Sequence, residues 1–150
     1  EIKQEFITDS DNEIAKEALK TVQLVKNRFD KYEVAEAAQE IVNFSNTVNK
    51  YVNDTAPWSL AKEGKMEECA KVLYNVLESM RFIAALLAPY TPNISQDVYE
   101  QLNRSEKAVE VKLDELKWGE IPVGKITEKE KIKPVFLRLD SEIAGAAKKG

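Results

Sequence analysis

The chain has 150 residues, of which 43% are apolar and 32% charged, and its formal net charge is −4. This composition is typical of one soluble, helix-rich domain with a substantial core, and it argues against a disordered or fibrous protein. No apolar run approaches the roughly 20 residues that cross a bilayer. We therefore expect a cytoplasmic protein with no membrane partner.

Histidine is absent and Cys69 is the one cysteine. Without histidine, the Ser-His-Asp and Cys-His nucleophile systems and histidine acid–base catalysis are excluded. The acidic residues show no metal-ligand spacing, so we predict no catalytic residue and no metal site, and we interpret Cys69 as a small core residue. A start without Met and the ending AGAAKKG suggest a piece of a longer polypeptide, whose other parts would carry any chemistry.

Two amphipathic helices are predicted first. Ser10 and Glu13 have the spacing of a capping box before a helix over about 11–28, whose apolar stripe is Ile14, Ala18, Val22, Val25 and Phe29. Asp30 and Glu33 repeat the start signal for a second helix that should end near residue 53 or 54. Its stripe is Val34, Ala37, Ala38, Ile41, Ser45, Val48 and Val52.

A break follows, and then the helix that we expect to be most buried. Asp54 or Thr55 is predicted to cap a short helix with Pro57 in its first turn, and Gly64 to end it. The next helix, about 65–88, has spacings of four and three, which predict the deepest burial at Leu73, Val76, Met80, Ile83 and Leu87. Truncation of these side chains to Ala should cost about 2–5 kcal/mol each.

Thr91 and Pro92 should begin one more helix, over about 93–102. After this helix the sequence loses its helical periodicity. We predict an all-α bundle of four to five mostly antiparallel helices within residues 1–102, because the connections are short. Residues 103–150 are predicted to be a mostly irregular extension, with one or two short strands at most, that packs back along the bundle. Its tail, 141–150, is linker-like.

Trp58 stands at the break and has two interpretations. It is either a core residue that fastens the kink, as in a helical protein-interaction module, or a platform on which a nucleobase stacks. In the second case Asn49, Asn53 and Asp54 are candidates for base-edge contacts, and Lys50, Lys62 and Lys65 are candidates for phosphate contacts. The net negative charge favours the first interpretation, although splayed RNA bases need only a local basic patch.

The sequence around Trp58 resembles one known family. NKYVNDTAPWSLAK is similar to the N-[RK]-Y-[VI]-D-x-x-x-P-W-x-[LV]-A-K signature in the anticodon-binding domain of methionyl-tRNA synthetases. LYNVLESMRFIAALLAPYTPNISQDVYEQL resembles the following helix, proline break and helix, a pattern shared with related class I synthetases. LKWGEIPVGKI and KPVFLRLD resemble later segments, so that the resemblance covers about residues 12–140.

The resemblance implies the anticodon-binding helical bundle of class I synthetases and a non-catalytic role. Trp58 and Pro57 would form part of the pocket for the CAU anticodon of methionine tRNA, with the indole against its first base. Asn53 stands where the family usually has Asp, and Asp54 would partly substitute for it.

The resemblance also implies partners outside these residues. A preceding helix with Asn and Arg residues would complete the pocket, and we find no match for it in residues 1–30. ATP and methionine would bind in the catalytic domain of the same polypeptide, and no cofactor would bind here. We expect a monomer, because the amphipathic faces should all be used internally.

Overall fold

The computed structural model describes residues 2–9 and 12–124. Within them the chain forms five α-helices: α1 Glu13–Asp30, α2 Val34–Thr55, α3 Pro57–Lys62, α4 Met66–Leu87 and α5 Pro92–Gln101. Three short 3-10 turns, Gln4–Phe6, Ala108–Glu110 and Leu113–Glu115, flank the bundle. Among the described residues the one β-interaction is an isolated antiparallel bridge between Ile2 and Gly124. The all-α prediction is confirmed.

The first two helices differ from expectation at their ends. Ser10 lies outside the described residues, and α1 is capped by Asn12, whose side chain accepts a hydrogen bond from the Ala15 amide at 3.0 Å. Asp30 does not start α2 but is the last residue of α1. The turn between them contains a left-handed residue, Tyr32 at φ 60°. The start of α2 predicted from Asp30 therefore lies about one turn before the observed start.

The core lies between α1, α2, α4 and α5, and α4 contacts all the other helices. The stripe predicted for α1 is confirmed, with Phe29 partly buried. On α2 the buried side chains are centred on Ala37, Ile41, Phe44 and Val48, whereas Val34 is half exposed. On α4 the largest buried side chains are Tyr74, Glu78, Arg81, Phe82 and Leu86.

The prediction of the deepest positions on α4 is wrong. Leu73 is 48% and Met80 is 42% exposed, and Val76, Ile83 and Leu87 are only partly buried. The side of α4 opposite the predicted stripe carries polar residues, so periodicity assigns that side to solvent, yet its Asn75 and Ser79 are buried. The deeply buried face instead contains a charged pair, Glu78 and Arg81.

That charged pair fastens the chain after α5 to the bundle. The Glu78 carboxylate accepts hydrogen bonds from Arg81, at 2.7 Å, and from the Ile121 amide, at 2.6 Å. Arg81 also donates to the Lys117 carbonyl and pairs with Glu120 at 3.2 Å. Residues 117–121 are therefore held against α4 by a buried polar network.

The rest of this segment packs by burying Leu116, Trp118 and Ile121. The alternation of Val109, Val111 and Leu113 forms two 3-10 turns rather than a strand. The KPVFLRLD segment and the linker-like tail 141–150 lie outside the described residues. The division into a bundle over 1–102 and an extension over 103–150 stays a prediction.

Candidate nucleic-acid interface

A single residue, Ala56, separates α2 from α3. Its backbone is left-handed, with φ 41° and ψ 64°, a conformation that costs a non-glycine residue roughly 1–2 kcal/mol. The Ala56 amide still donates to the Val52 carbonyl of α2 at 3.0 Å, while the Ala56 carbonyl accepts from the Ser59 amide of α3 at 2.8 Å. One strained residue thus ends one helix and begins the next.

Neither predicted cap of α3 acts as one. The Thr55 hydroxyl donates back to the Tyr51 carbonyl at 2.7 Å, because Thr55 still belongs to the last turn of α2. Asp54 also lies in that turn, and α3 begins at Pro57 with no side-chain cap on its N-cap residue. The expected end is confirmed, since Gly64 follows the C-cap with φ 77°.

Pro57 and Trp58 are held differently although they are neighbours. Pro57 is buried, and its carbonyl oxygen lies 3.3 Å from the Cys69 sulfur of α4, whose thiol donates to it. Trp58 is 52% exposed. Among the described residues no aromatic ring and no cation contacts its indole. The break therefore holds a rigid backbone against α4 and leaves much of the indole open to solvent.

The second tryptophan of the chain shows what a packed indole looks like in this fold. Trp118 is only 9% exposed, its Nε1 donates to the Thr8 hydroxyl at 3.1 Å, and its ring centroid lies 5.6 Å from that of Phe82. Trp58 has none of these features. The comparison favours the platform interpretation of Trp58 over the core interpretation.

The four candidate residues of α2 are divided between two of its faces. Asn49 and Asn53 are four residues apart and both exposed, so they share one face. Lys50 and Asp54 share the adjacent face, about 100° away around the helix. Because Asp54 does not point in the same direction as Asn53, it is poorly placed to take over the role of Asn53.

Lys50 and Asp54 line a groove of about 380 Å³ between α1 and α2. The other lining residues are Glu13, Ile14, Glu17, Thr47 and Tyr51. Burial raises the pKa of the Tyr51 hydroxyl, although the hydrogen bond that it accepts from Asn75 opposes the shift. The two glutamates come from a different helix, and no local signal in the sequence connects them with this site.

The three candidate lysines are also unequal. The Lys65 ammonium pairs with the Glu63 carboxylate at 2.9 Å, and this hydrogen bond raises the pKa of Lys65. Lys50 and Lys62 are exposed and form no ion pair within the described part of the chain. A phosphate would thus meet less competition at Lys50 and Lys62 than at Lys65.

Two structural findings limit other kinds of site. Within residues 2–9 and 12–124 no three acidic or cysteine side chains are grouped so as to hold a metal ion. No described helix is both long and apolar enough to cross a membrane.

Comparison with known proteins relates this chain to tRNA ligases. Residues 11–140 match the family model described as the anticodon-binding domain of tRNA ligase. The chain is 36% identical over 113 residues to a methionine–tRNA ligase from Thermotoga maritima, a match that covers 75% of this chain and 17% of that protein. It is 34% identical over 145 residues to the enzyme of that name from Caldanaerobacter subterraneus subsp. tengcongensis, covering 93% and 22%.

The methionine–tRNA ligase from Bacillus subtilis is 30% identical over 137 residues, which cover 91% of this chain and 20% of that protein. The chain thus spans about a fifth of the length of the curated relatives that it matches.

Proposed function

The chain belongs to the family of anticodon-binding domains of tRNA ligases, and from that premise we propose that it recognises the CAU anticodon of methionine tRNA as the non-catalytic part of a methionine–tRNA ligase. The single observation that carries this proposal is the half-exposed indole of Trp58 beside the buried Pro57. Base stacking on an aromatic side chain contributes about 1–3 kcal/mol per base. The names of the relatives, all methionine–tRNA ligases, support the choice of methionine tRNA.

Six of the candidate residues have a proposed role that follows from their positions. Trp58 stacks on the first anticodon base, and Pro57 fixes the backbone that presents it. Asn53, on the open face of α2, donates and accepts hydrogen bonds at a base edge. Lys50 and Lys62 contact phosphates, with Lys65 weakened by its pairing to Glu63.

Several features of the whole enzyme remain proposals. ATP and methionine bind in the catalytic domain of the same polypeptide. The anticodon-binding domain described here holds no cofactor. The polypeptide acts in the cytoplasm and touches no membrane, and the 150-residue chain by itself is a monomer. Light scattering of this chain checks the prediction, and a mass of twice 17.0 kDa would contradict it.

The function is tested by Trp58→Ala in the full-length ligase. The measurement is kcat/KM for charging of a tRNA with the CAU anticodon and of one whose first anticodon base is changed. Loss of one stacked base lowers the preference for CAU by about 5- to 150-fold, the equivalent of 1–3 kcal/mol. Methionine-dependent pyrophosphate exchange, which reports activation alone, stays nearly unchanged. Trp58→Phe loses less, because a smaller ring still offers a face.

A matched control is Tyr32→Ala. Tyr32 is 91% exposed and lies just before α2, whereas Trp58 lies just after it. The 22 residues of α2 separate the two by roughly 33 Å at a rise of 1.5 Å per residue. Tyr32→Ala should leave anticodon preference unchanged. Equal preference in Trp58→Ala and the parent, with both folded, would refute the proposal.

A further inference from the structure

Four side chains that are far apart in the sequence are joined by consecutive hydrogen bonds. The Trp118 indole Nε1 donates to the Thr8 hydroxyl at 3.1 Å, and that hydroxyl donates to the side-chain carbonyl of Asn75 at 2.5 Å. The Asn75 amide nitrogen donates in turn to the Tyr51 hydroxyl at 2.8 Å. We call these four side chains the polar network. It connects the N-terminal segment, α2, α4 and the segment after α5.

The polar network has a fixed direction. An indole N–H can only donate, so the first bond runs from Trp118 to Thr8. A hydroxyl that accepts one hydrogen bond becomes a stronger donor for the next, so that consecutive bonds strengthen one another. Asn75 and Trp118 are buried, which limits competition from water. The network therefore holds its members in defined orientations.

The network ends at the part of α2 that leads into the break. Tyr51 lies four residues before the last residue of α2 and lines the groove between α1 and α2. None of residues 52–56 is buried, and the next buried residue is Pro57. Tyr51 is bonded to Asn75 and Pro57 to Cys69, both on α4. The end of α2 is thus attached to α4 at two points, one on each side of its last turn.

We propose that Tyr51 is a positioning residue for anticodon recognition and that the polar network holds it in place. Through the last turn of α2, Tyr51 fixes the direction of Asn53 and the position of the break that presents Trp58. Apolar contacts let the end of a helix rotate, whereas a hydrogen bond is directional, and binding residues must be placed to within about 0.5 Å. This inference rests on the proposed function and extends it to side chains that need not touch the RNA.

The opposite end of α2 is held by a comparable contact. The Tyr90 hydroxyl donates to the carbonyl of Val34, the first residue of α2, at 2.6 Å. Each end of this helix therefore depends on one tyrosine hydroxyl, and only that of Tyr51 is close to the break. Tyr90→Phe is consequently a matched control for Tyr51→Phe, because each substitution removes one hydroxyl and keeps the ring.

The first test compares these two variants in the full-length ligase. The measurement is again kcat/KM for charging of the CAU tRNA and of the tRNA with a changed first anticodon base. Tyr51→Phe should lower the preference for CAU by about 2- to 13-fold, the discrimination that one neutral hydrogen bond supplies. Tyr90→Phe should leave the preference unchanged. Methionine-dependent pyrophosphate exchange should be unchanged in both, and equal thermal unfolding midpoints would show that both variants are equally well folded.

A second test acts at the far side of the network. Thr8 lies in neither α2 nor the groove. Thr8→Val keeps the shape of the side chain and removes its hydroxyl, whereas Thr8→Ser keeps the hydroxyl. We expect Thr8→Val to lower the preference for CAU and Thr8→Ser to retain it. Thr8→Val should add little further loss to Tyr51→Phe, because residues of one network are coupled.

The possible outcomes separate this inference from anticodon recognition itself. An unchanged preference in Tyr51→Phe, together with a loss in Trp58→Ala, would overturn the positioning role and leave anticodon recognition intact. An unchanged preference in both variants would overturn both proposals. Equal losses in Tyr51→Phe and Tyr90→Phe would indicate a general loosening of α2 and would overturn the positioning role. Fully additive losses from Tyr51→Phe and Thr8→Val would show that the two residues act separately and would overturn the network.

Discussion

Glu78 and Arg81 form an ion pair of 2.7 Å in which both side chains are almost completely excluded from water. The fold tolerates these buried charges only when both partners are present. Removal of one partner leaves an unpaired charge in the core, at a cost of about 3–5 kcal/mol. Its remaining hydrogen bonds reach Lys117 and Ile121. The pair thus connects the stability of α4 with the attachment of the segment after α5.

We expect Arg81→Met to lower the free energy of unfolding by about 3–5 kcal/mol, since it leaves the Glu78 carboxylate buried without its cation. The double variant Arg81→Met with Glu78→Gln should recover part of this loss, because the neutral amide can still accept from the Ile121 amide. Urea denaturation followed by circular dichroism measures both. A cost below about 1 kcal/mol for the single variant would show that water reaches the pair.

A second prediction separates the two sides of α4. In the 150-residue chain Phe82→Ala should cost about 3–5 kcal/mol, because Phe82 is fully buried and packs on Trp118. Met80→Ala should cost less than about 1 kcal/mol, since its side chain is half exposed. Thermal unfolding of both variants decides the matter. Similar losses would restore the original assignment of Met80 to the deep core.

Two substitutions of Ala56, the strained residue between α2 and α3, should change the stability of the chain in opposite directions. Ala56→Gly should be neutral or stabilise the chain by up to about 1 kcal/mol, because glycine adopts a positive φ without a Cβ clash. Ala56→Val should destabilise it by about 1–2 kcal/mol or more, since a β-branched residue is least tolerant of that conformation. The thermal midpoints of parent and variants provide the comparison. A large loss on Ala56→Gly would mean that the methyl group packs usefully.

The turn between α1 and α2 gives a pH-dependent prediction. The hydrogen bond from Arg28 lowers the pKa of the Glu33 carboxyl below its ordinary value. A depressed folded-state pKa contributes stability that is present above the unfolded-state pKa, about 4.3, and is lost as the pH falls through the folded-state value. Carboxyl chemical shifts in an NMR titration should show this low midpoint, and Arg28→Met should raise it. An unchanged midpoint in the variant would exclude Arg28 as the cause.

The sequence by itself determined the helices and the break. Apolar spacing located α1 and α4 to within about two residues, because amphipathic periodicity is a local property that survives in any tertiary arrangement. Thr91 and Pro92 located α5 equally closely, whereas the start of α2 was placed about one turn too early. The Pro57 and Gly64 positions of α3 followed from equally local backbone rules. The resemblance of the segment around Trp58 pointed to the family to which the chain belongs.

Only the tertiary structure decided which face of each helix is covered. Glu78 and Arg81 lie in the core because they satisfy each other and the chain at Lys117 and Ile121, residues about 40 positions away that no local pattern connects with them. Leu73 and Met80 remain at the surface because no described element packs over that side of α4. The half-open indole of Trp58 has the same origin, since exposure depends on what lies opposite a residue and is not encoded in its immediate neighbours.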